Sequence, residues 1–367
     1  MAWLVPVALL TLAFAGSIPT FPLAGGGSIP ALAMGGNDFA GWFDAASPKP
    51  AMIQTFHGYG NGAHLAPQIQ AAGRENVFLS TGIPCGCCGS DAPAVTPMNA
   101  SLAMGYIDDE LSQLNTSYAD LLLFHHRCKT DAETAAVWSA LEAAKAAGKA
   151  RHIGVSNFNT HDLVVLSKTA KEPIEVLEAH FGVGIMDFEV LTFAQTHAIQ
   201  PVSFSSLSES STDLALLHPA VAKVAAAHNV SSARIMYAYV AQHNITVLSS
   251  YDPSHPEWLE DDLNIFNADS LLTAAEMSAL DAVTPGKRTC PDCFTDECQA
   301  CAQALHALGC PIGELHGGFV WGRSNPQGVE CGACAALPAH EAAVAAACGN
   351  TSRGENLESM TAKACGY

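Results

Sequence analysis

Short apolar runs alternate with helical patterns from about residue 28 to residue 284, and this alternation limits the chain to very few folds. The strand candidates are 29–34, 51–56, 77–81, 119–124, 152–155, 174–178, 201–205 and 245–248. Each is followed by a polar turn and usually by a helical stretch. The segment 131–149 shows the helix grammar: Asp131 at the entry, Val137, Leu141 and Ala144 on one face, and Gly148 at the exit. Further helices are expected over 220–227 and 231–241. Eight βα units in this length predict a (β/α)₈ TIM barrel. A doubly wound open sheet is the rival, but no G-x-G-x-x-G follows an early strand.

Such barrels carry their active sites at the C-terminal ends of the strands. Those ends read Tyr59, Thr81-Gly82, His125, Ser156-Asn157, Glu178, Phe204 and Ser249-Ser250. A tyrosine and a histidine at one mouth are proton-transfer groups, and a serine-asparagine pair can hold an amide. Phe204 can stack on a planar ring or pack in the core. Ser156 and Asn157 can also simply close a turn. With a net charge of −19, the chain repels phosphate backbones, so nucleic acid is excluded as a partner. The hydrophobic fraction of 49% excludes disorder over most of its length.

The residues also resemble the aldo-keto reductase family. GKARHIGVSNF at 148–158 is similar to that family's GKxRxIGVSNF stretch, ADLLLFH at 119–125 to its DLLLIH strand, and TFHGYGN at 55–61 to its TAxxYGN. The segment 21–36 resembles the family's opening hairpin and first strand, and 219–248 and 272–283 its last two units. The resemblance implies hydride transfer between a nicotinamide cofactor, NADP or NAD, and a small carbonyl or alcohol substrate. It places the proton-donating tyrosine on Tyr59 and the substrate-orienting histidine on His125. It places the carboxamide contacts on Ser156 and Asn157, with Glu178 nearby, and the ring-stacking aromatic on Phe204. Ser249 and Ser250 fall where the family grips the cofactor's 2′-phosphate.

Four departures accompany it. The family's catalytic aspartate falls on Gln54 and its lysine on Gly82, which removes the positive charge that lowers the tyrosine pKa. The carboxamide-binding glutamine falls on Val176, and the phosphate-binding arginine on Trp258, beside Glu257, Glu260, Asp261 and Asp262. These losses support an alternative reading: a catalytically inactive barrel kept as a binding protein.

The two ends differ from the barrel. Residues 3–14, WLVPVALLTLAF, followed by Ala13-Phe14-Ala15, predict a signal peptide over 1–15 and entry into the secretory pathway, with no membrane span after its cleavage. Sequons at Asn99, Asn115, Asn229, Asn244 and Asn350 agree with that route. The barrel is expected over 16–285, and a cysteine-rich C-terminal appendage over 286–367. Nine of the 13 cysteines lie in that appendage, where disulfides are preferred to zinc and a protein partner or a bracing role is open. In Cys85-Gly-Cys87-Cys88 a loop disulfide is preferred to a redox or metal role.

Overall fold

The computed structural model describes residues 17–85, 97–128, 130–207 and 218–283, with the backbone of a strand pair at Gly313–Leu315 and Gly318–Val320. The expected signal peptide, Cys87, Cys88 and the tail cysteines lie outside the described residues. Eight parallel strands close into a barrel: β3 (Leu32–Gly35), β4 (Ala51–Gln54), β5 (Val77–Ile83), β6 (Ala119–Phe124), β7 (Ala150–Ser156), β8 (Val176–Ala179), β9 (Gln200–Ser203) and β10 (Thr246–Ser250). Closure comes from β10 pairing with β3, Val247 opposite Leu32. All eight expected strands are barrel strands. The first is divided, because 29–34 spans two elements. A hairpin of β1 (Thr20–Pro22) and β2 (Ser28–Pro30) precedes β3, and Ala31 N–H bonds Pro19 O at 2.8 Å. Pro30 has no N–H to extend a ladder, so the chain changes partners there.

Ten helices are described: α1 (Ala40–Ala45), α2 (Gly62–Ala72), α3 (Ala100–Gln113), α4 (Asp131–Ala146), α5 (Thr160–Ser167), α6 (Phe188–Thr196), α7 (Pro219–His228), α8 (Ser232–Gln242), α9 (Pro256–Leu263) and α10 (Ala274–Asp281). The helix expected over 131–149 is capped one residue earlier, by Thr130 in a capping box with Glu133. It ends at Ala146, and Gly148 follows in the left-handed region at φ 75°. No described helix is long and apolar enough to cross a membrane.

Period-two alternation divides the core into two layers. On β6, Leu121 and Leu123 point into the barrel while Leu122 and Phe124 meet the helices. The interior holds Ala33, Met52, Phe78, Val176 and Val202, with Phe21 and Ile29 of the hairpin in the same cluster. The hairpin is tied to the barrel through Glu175, which accepts from Gly25 N–H at 3.1 Å and from Lys145 Nζ at 2.8 Å. Phe56, just past β4, belongs to the interior cluster and lies at the opposite end. Above it is the mouth.

Candidate active site

The strand ends bring most of the expected residues together. Past β4 the chain makes a single 3₁₀ turn over His57–Tyr59, closed by Gly60 at φ 65°, a conformation glycine adopts without a Cβ penalty. Thr55 Oγ1 donates to Asn61 Oδ1 at 2.6 Å, which holds the turn against the barrel. Tyr59 is thereby raised at the mouth with half of its surface exposed. Its ring meets His125 edge to face, with centroids 6.1 Å apart. His57 instead pairs with Asp109 on α3, Nε2 to Oδ2 at 2.7 Å. His125 is therefore the imidazole beside the tyrosine. Its neighbour His126 is held neutral, its pKa pushed well down by burial and by His125.

On the other side of His125, β7 ends in Ser156 and Asn157. Asn157 takes φ 61°, which turns its side chain so that Nδ2 donates to His125 O at 3.0 Å and Ser156 Oγ at 3.1 Å. With both amide protons engaged, Oδ1 is the polar atom Asn157 has left to offer, an acceptor. Ser156 Oγ donates to Glu178 Oε1 at 3.2 Å, and Gln54 Nε2 donates to the other carboxylate oxygen. Glu178 is buried beneath the mouth, so it positions Ser156 and Gln54. Phe204, just past β9, is half-buried and stacks on His180 at 5.3 Å.

Gly82, where the family resemblance expects a lysine, is closely packed. A Cβ at Gly82 would come within 2.4 Å of Phe56 Cε1 and 2.6 Å of Leu123 O. The Phe56 ring fills the space beside β5 and stacks on His125, centroids 3.8 Å apart and planes 14° apart. An aromatic ring thus lies next to the histidine, where the family resemblance expects a charged side chain. Both changes are visible in the sequence, at positions 56 and 82, but their contact is not.

Burial pushes the Glu178 carboxyl up to about 7, against the opposing pull of His125, Gln54 and Ser156. Between about pH 4.5 and pH 7 the folded state retains a proton that the unfolded chain has released. The stability from this group therefore falls as pH rises through that window. Glu178→Gln removes the titration, so the variant should gain on wild type by on the order of 3 kcal/mol across it. Urea melts of both proteins at several pH values check this. A pH-independent difference would contradict it.

A disulfide crosses the mouth between Cys85, past β5, and Cys128, past β6, with Cα atoms 5.2 Å apart. Both cysteines are buried. The preferred loop disulfide of the Cys85 segment thus has a distant partner. The available signal was that the two cysteines follow neighbouring strands, where Ile83 pairs with Phe124. Closing a loop of this length restricts the unfolded chain, so Cys128→Ser should lower stability by about 2–4 kcal/mol. A denaturation midpoint unchanged in the variant would contradict that value.

The remaining expected residues lie at the end of β10. Ser250 is exposed, but Ser249 is buried and donates to Asp262 Oδ2 at 2.7 Å, with Tyr237 OH at 3.1 Å. Burial pushes Asp262 up to about 7. The role of Asp262 as the partner of Ser249 was not foreseen, because 13 residues of loop and helix separate them.

Comparisons with known proteins agree with this architecture. A family model described as the Aldo/keto reductase family matches residues 58–285. The uncharacterized oxidoreductase YtbE of Bacillus subtilis is 27% identical over 250 residues, which cover 65% of this chain and 81% of that protein. An aldo-keto reductase of Mycolicibacterium smegmatis is 25% identical, with 76% of this chain and 95% of that protein covered. Glyoxal reductase of Bacillus subtilis is 28% identical over 188 residues, 50% of this chain and 64% of that protein. Among solved structures, an aldo-keto reductase from a Medee basin deep-sea metagenome library superposes with TM-score 0.64 at 22% identity, covering 74% of this chain and 96% of the other. An aldo/keto reductase from Brucella melitensis gives 0.62 at 24% identity, covering 73% and 100%. At these identities the two superpositions speak for the fold.

Proposed function

The chain belongs to the aldo/keto reductase family, and from that premise we propose that it reduces small carbonyl compounds with a nicotinamide cofactor, Tyr59 supplying the proton. The observation that carries this reading is the pairing of Tyr59 and His125 at the mouth, beside an asparagine anchored to the histidine's own carbonyl.

The residues at the nicotinamide end fit such a group. Asn157 Oδ1 offers an acceptor for a carboxamide N–H, Ser156 lies at 3.1 Å from the same side chain, and Phe204 presents a half-buried ring. When bound, the cofactor supplies the hydride. Everything else falls on the chain. His125, held by the Phe56 stack, fixes the position of the carbonyl oxygen. The Tyr59 hydroxyl donates its proton to that oxygen as negative charge develops. Without the lysine, the hydroxyl loses the charge that would make it a stronger acid. The expected catalyst is therefore slower than one with the full charge set. The similarity to glyoxal reductase makes small dicarbonyls the first compounds to try.

The buried Cys85–Cys128 bridge supports the secretory-pathway reading, since such bonds persist in oxidising compartments. Asn99, Asn115 and Asn229 are exposed, as glycan acceptors must be. The filled lysine space favours the second reading, an inactive barrel. The two separate in one assay: oxidation of reduced nicotinamide across a carbonyl panel. Oxidation that depends on the carbonyl supports the enzyme, and none with any carbonyl supports the inactive barrel.

A further inference from the structure

The end of β10 and the helix after it bear on which dinucleotide the mouth accepts. Ser249 is turned inward to Asp262. Trp258, in the first turn of α9, is 52% exposed. His255 stacks on its ring at 3.9 Å, with the planes 9° apart. On the same helix Glu257 and Glu260 are exposed and Asp261 is half-buried, and Asp252 lies in the loop before it. His255 holds the Glu257 carboxyl below its ordinary range, and Ser254 does the same for Asp252. No lysine or arginine occurs from Ile235 to Gly286. Arg234 is engaged by Asp269 and Ser270. Across a groove lined by Ala45, Leu259 and Leu263, α1 adds another carboxylate, Asp44. Lys49, beyond α1, donates to Phe43 O.

A 2′-phosphate does not fit this surface. Like charges repel, and the carboxylates of this surface act together with no lysine or arginine from Ile235 to Gly286 to offset them. We infer that this chain takes the unphosphorylated dinucleotide, NADH, and rejects NADPH, with the exposed face of Trp258 left for the adenine ring. The inference rests on the nicotinamide-binding mouth proposed above and specifies its far end. Ser250, exposed at the end of β10, suits a neutral ribose hydroxyl.

Calorimetric titration of the full chain with NADH and NADPH, at about 20 mM and about 300 mM salt, tests it. NADPH should bind at least about tenfold more weakly at low salt, and the gap should narrow at high salt. Trp258→Arg should narrow the gap between NADPH and NADH, and the combined Glu257→Gln, Glu260→Gln and Asp261→Asn should tighten NADPH alone. Trp258, Glu257 and Glu260 are exposed and Asp261 is half-buried, so the variants should fold. NADPH binding as tightly as NADH at low salt overturns the inference and leaves the reductase reading intact. Neither dinucleotide binding up to millimolar overturns both.

Discussion

Tyr59→Phe is expected to lower turnover by about 10²–10⁴-fold while cofactor affinity and stability stay near wild type. The size follows from the role of the hydroxyl. In the proposed reaction it is the proton donor beside His125, and the phenylalanine ring keeps the edge-to-face contact with the histidine at 6.1 Å. Half of Tyr59 is already exposed, so removing one oxygen costs little stability. The loss should appear in kcat and kcat/KM together, as for an interaction made in the transition state. Steady-state kinetics at saturating cofactor, with a thermal melt as control, measure it. Equal turnover in both proteins would remove Tyr59 from the chemistry.

The second large effect concerns Phe56 and Gly82. Gly82→Lys alone should destabilise strongly, because its Cβ meets a buried ring at 2.4 Å and a backbone carbonyl at 2.6 Å. Overpacking of this kind costs about 1–3 kcal/mol. A buried ammonium adds a desolvation cost. Phe56→Ala alone should lose about 3–5 kcal/mol, since Phe56 is only 2% exposed and completes the interior cluster. The triple variant Gln54→Asp, Phe56→Ala, Gly82→Lys clears the ring and gives the lysine a partner. The contact with Leu123 O persists, so recovery is partial. The triple variant should nonetheless be more stable than the sum of its parts predicts, by at least about 1 kcal/mol. Urea denaturation of wild type, the three single variants and the triple variant measures the coupling. Strict additivity would mean that Phe56 and Gly82 are unrelated substitutions.

These expectations depend on contacts that the sequence shows unevenly. The barrel was legible because each strand is a short apolar run followed by a turn and usually a helical stretch, as Leu121 to Phe124 are before α4. Tyr59, His125, Ser156 and Asn157 were legible because they lie at strand ends, within one turn of a clear apolar run. What stayed hidden was long-range. The space at Gly82 is filled by a ring from just past the neighbouring strand, 26 residues earlier in the chain. Cys85 meets Cys128 across 43 residues, and no local spacing marks the pair. Ser249 belongs to Asp262, although the acidic run alone suggests only a solvated face. The division of 29–34 was hidden for a local reason: both halves are apolar, and only Pro30 marks the break.

The central claim is that the Tyr59–His125 mouth still carries hydride chemistry without the lysine. Its most direct test is deuterium transfer. Wild type and Tyr59→Phe are incubated with 4-deuterated NADH and a small dicarbonyl, and the product is analysed by mass spectrometry. The account predicts deuterium on the new carbinol carbon with wild type, and a strongly reduced yield with the variant. No deuterium in the wild-type product, although the cofactor binds, would contradict it and leave the barrel a binding protein.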